Sequence, residues 1–177
     1  MKPWEQDEQD FKLNLENVVL PSRDQNMKEH WDMEGNLKGE TERFKFEVKG
    51  LKRFNRRFEE DRGLPIQDEM MLIEWQNVNG DIGWILGSSN KIAQKRKKYA
   101  WLIVPTKALW EMVRPKLNQE DIYAKATVPW SFKKKPYVIW DRSTFKNLRT
   151  GKYNDDRCAW VPFEDVEKIE GVIKLEK

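Results

Sequence analysis

The chain has 177 residues, of which 38% are hydrophobic and 36% charged, and it contains nine Trp, eight Phe and four Tyr. So many large apolar side chains exclude a disordered protein, and the length suits one domain with its own core. No apolar run approaches the roughly 18 residues that span a bilayer, and the N-terminal residues lack the apolar centre of a signal peptide. We therefore expect a cytoplasmic protein with no membrane partner. The single cysteine, Cys158, excludes an internal disulfide framework and a cysteine zinc site.

The formal net charge is only +3, but the basic residues are unevenly distributed along the chain. They concentrate in four clusters: Lys52-Arg53, Arg56-Arg57, Lys95-Arg96-Lys97-Lys98 and Lys133-Lys134-Lys135. One cluster of this kind is usually solvated surface. Several clusters on one domain predict at least one anion-binding surface, although the small net charge does not by itself indicate nucleic acid.

The first predicted element is a helix over 6–19, where apolar residues recur at helical spacing. Residues 22–29 are polar and predict a loop. The Gly35-Asn36 pair lies between apolar residues and predicts a hairpin turn. Residues 43–49 alternate between apolar and charged side chains, which is the clearest strand pattern in the chain.

The second half of the chain contains shorter signals. Apolar runs predict strands at 70–75, 83–87, 101–105, 138–140 and 159–161. Residues 51–63 predict a loop or short helix, 95–98 an exposed hairpin tip, and helices are expected from Lys107 and over 163–169. Together these elements predict a single α/β domain over residues 1–177, with a central mixed β-sheet flanked by helices.

The sequence lacks the residues that several kinds of active site require. His30 is the only histidine, so a histidine-rich metal site is excluded. The chain has no Gly-x-Ser-x-Gly elbow, no Gly-x-x-x-x-Gly-Lys-Ser/Thr loop and no Gly-x-Gly-x-x-Gly turn. These absences leave carboxylates as the candidate catalytic groups.

Glu47 and Lys49 are two residues apart on the predicted strand, so both side chains leave the same face. A carboxylate beside an ammonium group suits a Mg²⁺ site, because the carboxylate is a hard ligand and lysine can orient the attacking water. Asp32, with 14 residues between it and Glu47, is the candidate second carboxylate, and Glu74 on the next strand along the chain is a third. The acidic-x-Lys spacing occurs twice among 30 acidic residues, so the spacing alone is uninformative. The alternative for Glu47 and Lys49 is an inert surface salt bridge.

The combination of Asp32, a 14-residue spacer and Glu47-Val48-Lys49-Gly50 resembles the PD-(D/E)XK nuclease superfamily, which includes restriction endonucleases and Holliday-junction resolvases. A longer run resembles one group within it that is often phage-encoded: Glu47-Val48-Lys49-Gly50-Leu51-Lys52-Arg53, then Ile73-Glu74-Trp75-Gln76-Asn77-Val78, then Gly80-Asp81-Ile82-Gly83-Trp84-Ile85. The similarity covers about 28–117, which would form a nuclease-like core with 118–177 packed on it.

The resemblance implies a restriction-endonuclease-like fold and a Mg²⁺- or Mn²⁺-dependent endonuclease that acts on DNA. Asp32, Glu47 and the backbone carbonyl of Val48 would bind the metal, Lys49 would lie at the attacking water, and Glu74 would be a further ligand. The basic residues of 52–57 and 95–98 would contact phosphates, and nucleases of this type often form homodimers.

Two departures from the family pattern leave alternatives open. Trp31 replaces the proline before the first acid, and Asn90 stands where the pattern has an aspartate. A second assignment, Asp68 with Glu74-x-Gln76, is less favoured because five intervening residues are too few to join two paired strands. The competing functions are an inactive nucleic-acid-binding protein with a nuclease-like fold, and a phage structural or host-interaction protein.

Overall fold

The structure is a computed structural model that describes residues 2–54, 56–77, 79–123, 135–141 and 156–177. Along the chain, the helices and strands are α1 (Pro3–Lys12), β1 (Leu15–Val19), α2 (Arg23–Glu29), β2 (Met33–Leu37), β3 (Arg43–Lys49), α3 (Arg56–Asp61), β4 (Met70–Gln76), β5 (Lys91–Lys95), β6 (Trp101–Pro105), α4 (Thr106–Val113), β7 (Asn118–Tyr123), β8 (Val138–Asp141), β9 (Arg157–Pro162), α5 (Phe163–Val166) and β10 (Ile173–Leu175). None of the described helices is long and apolar enough to cross a membrane.

The chain divides into two compact units, each assembled from separate stretches of sequence. The first unit contains Met1–Leu51, Gly87–Leu109 and Lys168–Lys177, and the second contains Lys52–Leu86 and Trp110–Glu167. The architecture is mixed α/β, as the sequence predicts. A single domain with a nuclease-like core at 28–117 stays a prediction.

The first unit is built on a six-stranded mixed sheet in the order β1-β2-β3-β5-β6-β10. β3 and β5 are parallel, with Glu47 opposite Ile92, and the other neighbours are antiparallel. Met33 of β2 pairs with Phe46 of β3. This register brings the residue before β2 next to the middle of β3.

The alternating pattern of β3 produces one apolar and one polar face. Phe46 is fully buried and Val48 nearly so, and both belong to the core cluster of the first unit. Phe11 of α1 packs into the same cluster, with its ring centroid 5.1 Å from those of Phe46 and Trp101. Phe11 therefore anchors α1 on the sheet, and Glu47 and Lys49 alternate along β3 with the residues of this cluster.

The second unit contains a four-stranded sheet in the order β4-β9-β8-β7. Its apolar cluster is formed by Phe54, Trp140, Cys158 and Trp160. Gly83 lies against the backbone of β4, where an added Cβ would come within 2.4 Å of the Glu74 carbonyl oxygen. The glycine of the Gly-Trp turn is thus required by this close approach.

Most strand predictions are confirmed, namely those corresponding to β3, β4, β6, β8 and β9. The short helices α3 and α5 and the start of α4 also lie where the sequence predicts them, although α5 ends earlier, at Val166. Four other predictions are wrong, and each has a local cause.

The predicted helix over 6–19 ends at Lys12, and its second half is the strand β1. The Asn14 side chain donates to the carbonyls of Asp10 and Phe11, and this competition with the backbone ends the helix. The predicted loop over 22–29 is the helix α2. It begins with a capping box in which Ser22 and Gln25 bond each other's backbone N–H groups.

The expected hairpin turn at Gly35-Asn36 is the interior of β2. Gly35 permits a close approach by β1, because an added Cβ would be 2.9 Å from the Glu16 carbonyl oxygen. The Asn36 side chain donates to the Thr41 carbonyl at 2.7 Å instead of forming a turn. The expected strand over 83–87 is a 3-10 turn at Trp84–Leu86.

Candidate active site

Two hydrogen bonds hold Asp32 against β3, and a third joins it to α2. Its backbone N–H donates to the Phe46 carbonyl at 2.7 Å, and its Oδ2 accepts from the Val48 N–H at 2.7 Å. Its Oδ1 accepts from Asn26 Nδ2 at 2.8 Å. The Asp32 carboxylate thus extends the β2–β3 ladder and is fixed beside Glu47, as the β2–β3 register requires.

Glu47 and Lys49 leave the same face of β3 and contact each other, with 2.5 Å between Lys49 Nζ and Glu47 Oε1. The side chain of Glu47 is only 8% exposed and that of Lys49 is 19% exposed. Glu47 is therefore buried and Lys49 is mostly shielded from solvent, so the pair is not the surface salt bridge of the alternative interpretation. Removing either partner from a buried pair leaves a charge that is costly to keep out of water.

A cleft of about 580 Å³ opens over these residues in the first unit. Its walls come from α1, the β1–α2 connection, α2, and the adjacent ends of β2 and β3. The lining residues are Trp4, Glu5, Glu8, Leu20, Pro21, Ser22, Arg23, Asn26, Asp32, Glu47, Val48 and Lys49. Such a concave site with convergent charged groups is the expected form of a binding or catalytic site.

Two acidic side chains of the cleft have raised pKa values. Burial, and then the charges of Asp32, Glu47 and Glu5, raise the pKa of Glu8 to about 7, and Lys49 only partly opposes this rise. Burial and the charge of Glu47 also raise the pKa of Asp32. Burial is the larger cause of both shifts, and the negative charge of the neighbouring carboxylates adds to it.

The donor set suits a hard divalent cation. Asp32, Glu47 and the Val48 carbonyl could supply oxygen ligands, and the charges of the neighbouring carboxylates, which help to raise the pKa values of Glu8 and Asp32, would favour a cation among them. Within the described ranges, no group of three or more His, Cys, Asp or Glu side chains is arranged to hold a metal ion. Mg²⁺ needs fewer, because it commonly takes one or two carboxylates and completes its shell with water and substrate phosphate.

The end of β3 that carries Lys49 is secured by the buried Gln94 of β5. Its Nε2 lies 3.1 Å from the carbonyl oxygens of Lys49, Gly50 and Lys95. Gly50 also leaves room for α1, since an added Cβ would lie 2.1 Å from Asp7 Oδ2. The Lys-Gly step of the motif thus lets the helix wall approach the strand.

Asn90, the departure from the family pattern, has a structural role beside β3. Its Oδ1 accepts from the Lys45 N–H at 2.9 Å, and its own N–H donates to the Lys45 carbonyl at 2.8 Å. Its carbonyl accepts from the Thr106 N–H at 3.0 Å. Asn90 therefore joins the start of β5 to β3 and to α4, and the accepting bond of its side chain is one that an aspartate could also make.

Glu74 lies in the second unit, where it is opposite Cys158 in the β4–β9 pair. β4 is not hydrogen-bonded to β3, whose described neighbours are β2 and β5. Although Glu74 is on the next strand along the chain, the structure does not bring it to β3 through sheet pairing. Its role as a metal ligand stays a prediction.

The predicted hairpin tip at 95–98 is only partly exposed. Lys95 Nζ is bound by Asp7 at 2.7 Å and Asp10 at 3.0 Å, which ties α1 to β5. Arg96 is buried, and its Nη1 donates to the Tyr99 hydroxyl at 3.1 Å. The prediction of exposure is therefore wrong for Arg96, which packs against Tyr99, and among residues 95–98 only Lys97 and Lys98 are exposed.

The other predicted phosphate contacts are the basic residues at 52–57, which belong to the second unit. Lys52 is exposed, and Arg53 forms an ion pair with Glu60 at 3.4 Å. The backbone of Arg56 and Arg57 belongs to α3, but their side chains lie outside what the structure describes. Lys133, Lys134 and Val78 also lie outside the described residues.

Sequence reasoning missed the α1 wall of the cleft. Trp4, Glu8 and Phe11 are spaced i, i+4 and i+7, so they share one helix face. Phe11 is the buried anchor of that face, and the pattern predicts that Glu8 and Trp4 continue over the sheet. The sequence does not indicate Arg23 and Asn26 either, because the polar run at 22–29 predicts a loop, whereas the Ser22 capping box begins a helix there.

Comparisons of the chain with protein-family models, curated proteins and solved structures found no significant match.

Proposed function

We propose that this protein is a Mg²⁺-dependent endonuclease that cleaves phosphodiester bonds in DNA, with a restriction-endonuclease-like fold of the PD-(D/E)XK type. One observation carries the proposal. Asp32 is hydrogen-bonded to β3 at Val48, beside a buried Glu47–Lys49 pair, and all four residues line one cleft.

Each side chain has a role that follows from its position. Asp32 and Glu47 would bind the cation together with the Val48 carbonyl. When bound, Mg²⁺ supplies Lewis acidity toward a phosphoryl oxygen. Lys49 carries a positive charge at the base of the cleft, where it can orient the attacking water and offset the charge that grows on the phosphate. Its contact with Glu47 fixes the ammonium group in place, because a lysine side chain otherwise has many rotamers.

Contacts behind these residues would preserve the arrangement during turnover. Asn26 and the Val48 N–H hold the Asp32 carboxylate, and Gln94 holds the main chain at Lys49. Such fixed dipoles are useful in catalysis because they need no reorganisation when charge develops. The proposal therefore assigns Asn26 and Gln94 to positioning and not to contact with the reacting atoms.

The test is cleavage of supercoiled plasmid and labelled oligonucleotides in Mg²⁺, Mn²⁺ or EDTA. We expect cleavage only with a divalent cation, and a loss of about 100-fold or more in Asp32→Asn, Glu47→Gln and Lys49→Met. The matched controls are Glu34→Gln, which removes a carboxylate of β2 paired with Arg43, and Lys45→Met on the same strand as Lys49. Both controls should cleave at the wild-type rate.

Folding has to be separated from catalysis, because Lys49→Met leaves Glu47 buried without its cation. Circular dichroism and thermal unfolding establish that each variant is folded, and Lys49→Arg retains the charge with a different geometry. A wild-type protein that binds DNA without cutting it under any of these conditions would support the inactive binding protein instead. Wild-type activity in folded Glu47→Gln would refute the proposed site.

A further inference from the structure

Trp4 stands on the rim of the cleft with 54% of its surface exposed. It lies one helical turn from Glu8 on the face of α1 that Phe11 anchors to the sheet. One turn of helix rises about 5.4 Å, so Trp4 and Glu8 follow each other along this face at about that spacing, and both line the cleft. A large exposed aromatic at this position is not required by the core, which Phe11 already fills.

The lining of the cleft also contains a second apolar surface and a cation, contributed by the β1–α2 connection and α2. Leu20 is 56% exposed and is followed by Pro21, and Arg23 lines the cleft at the start of α2. Lys2 Nζ lies 4.5 Å from the Trp4 ring centroid, which adds another cation at the rim. The cleft therefore combines apolar walls at its mouth, cations beside them, and oxygen ligands at its floor.

We propose that this cleft takes an unpaired nucleotide of a DNA strand, with the base stacked on Trp4 and its phosphate at Asp32, Glu47 and Lys49. The inference rests on the proposed nuclease function and specifies its substrate as single-stranded DNA or a single-stranded tail. Aromatic side chains stack on bases of any sequence, because every base has a flat π-face.

Duplex DNA does not meet this description. A base inside a duplex is covered on both faces by its neighbours, so it cannot stack on a protein side chain unless it leaves the helix. The floor of the cleft is also recessed, since the Glu47 side chain is only 8% exposed. A single strand can enter such a recess, and Arg23 and Lys2 would contact its backbone phosphates.

The experiment compares three fluorescein-labelled DNAs of one sequence: a single strand, a blunt duplex, and a duplex with a single-stranded tail. Binding is measured by anisotropy in Ca²⁺ with a gel check that the DNA stays intact, and cleavage is measured in Mg²⁺. We expect the wild type to prefer the single strand and the tail. Trp4→Ala should weaken their binding by about tenfold, since stacking on one aromatic is worth about 5- to 100-fold.

Two further variants separate stacking from folding. Trp4→Phe keeps a ring and should bind within about threefold of wild type, because a smaller ring still stacks on a base. Leu13→Ala removes another exposed apolar side chain, 72% exposed just after α1, and should have no effect. Trp4→Ala should leave the thermal unfolding midpoint nearly unchanged, as expected for an exposed residue.

The outcomes distinguish this inference from the proposed function. Trp4-dependent binding of the single strand without any cleavage would support the inference and refute the nuclease. Cleavage of blunt duplex as fast as of single strand, unchanged in Trp4→Ala, would refute the inference and keep the nuclease. Dimerisation that depends on Trp4, with no DNA binding, would refute the inference and make this rim a contact between copies of the chain.

Discussion

The ionisation of Glu8 gives a test of the cleft that needs no substrate. Its pKa is raised from 4.5 to about 7 by burial and by the charges of Asp32 and Glu47. Each pKa unit is worth about 1.4 kcal/mol, so the upper limit of the effect on the free energy of unfolding is about 3 kcal/mol. Glu8 is partly exposed to solvent, and screening should reduce this to about 1 kcal/mol.

Proton linkage determines whether the free energy of unfolding rises or falls with pH. The pKa of Glu8 is higher in the folded than in the unfolded chain, so the folded state binds the proton more tightly. The stabilisation is complete below about pH 4.5 and is lost as the pH rises through about 7. Glu8→Gln has the same size and no charge, so it should be more stable than wild type above pH 7, by about 1 kcal/mol, and differ little near pH 4.5.

Urea unfolding in EDTA, followed by tryptophan fluorescence from pH 4.5 to 8.5, measures this difference. Glu16→Gln removes an exposed carboxylate of β1 and should show no such pH dependence. Added Mg²⁺ should stabilise wild type more than Glu8→Gln at pH 8, since a cation in the cleft offsets the same charge. A difference between Glu8→Gln and wild type that stays constant with pH would refute the crowding of carboxylates in this cleft.

Two further substitutions test the packing that supports the two units. Gly83→Ala should lower the free energy of unfolding by about 2 kcal/mol, measured by thermal unfolding, because the new Cβ meets the backbone of Glu74. Gly63→Ala is the control: this residue lies in open space at φ +61°, so the free energy of unfolding should fall by only about 1 kcal/mol. Equal losses in the two variants would contradict the close contact at Gly83. Gln94→Leu removes the donor shared by the carbonyls of Lys49 and Gly50, so we expect a loss of about 1–2 kcal/mol and a lower kcat with little change in KM; an unchanged kcat would exclude a positioning role.

The strands of the sheets could be predicted because their pattern is local. β3 alternates apolar and charged residues, and this alternation alone specifies which face Glu47 and Lys49 occupy. The position of Asp32 was also accessible, since an acid about 14 residues upstream can return on an antiparallel neighbour. Its hydrogen bond to the Val48 N–H could not be predicted, because it depends on the register of β2 and β3.

The errors have one physical origin, which is competition between signals of similar strength. Valines at the end of β1 continue a helical spacing but prefer a strand, and the Asn14 side chain decides the outcome by bonding to α1. Gly35 is a turn residue by composition, yet β2 uses it to let β1 approach. The apolar run at 83–87 has the composition of a strand, but Gly83 packs against the backbone of β4 and the chain turns at Trp84.

Under the proposed function, the charge of the cleft should couple the binding of DNA to the binding of the cation. Of its lining residues, four are acidic and two are basic: Glu5, Glu8, Asp32 and Glu47, against Arg23 and Lys49. Without a cation, the net negative charge of the cleft should contribute little to the affinity for DNA, and a bound divalent cation should raise that affinity. By linkage, DNA must raise the affinity for the cation by the same factor. We expect that factor to be at least about tenfold in titrations of DNA with and without Ca²⁺, and of Ca²⁺ with and without DNA. DNA binding of equal strength in EDTA would show that the strand is held elsewhere, for example by Lys97 and Lys98, and not in this cleft.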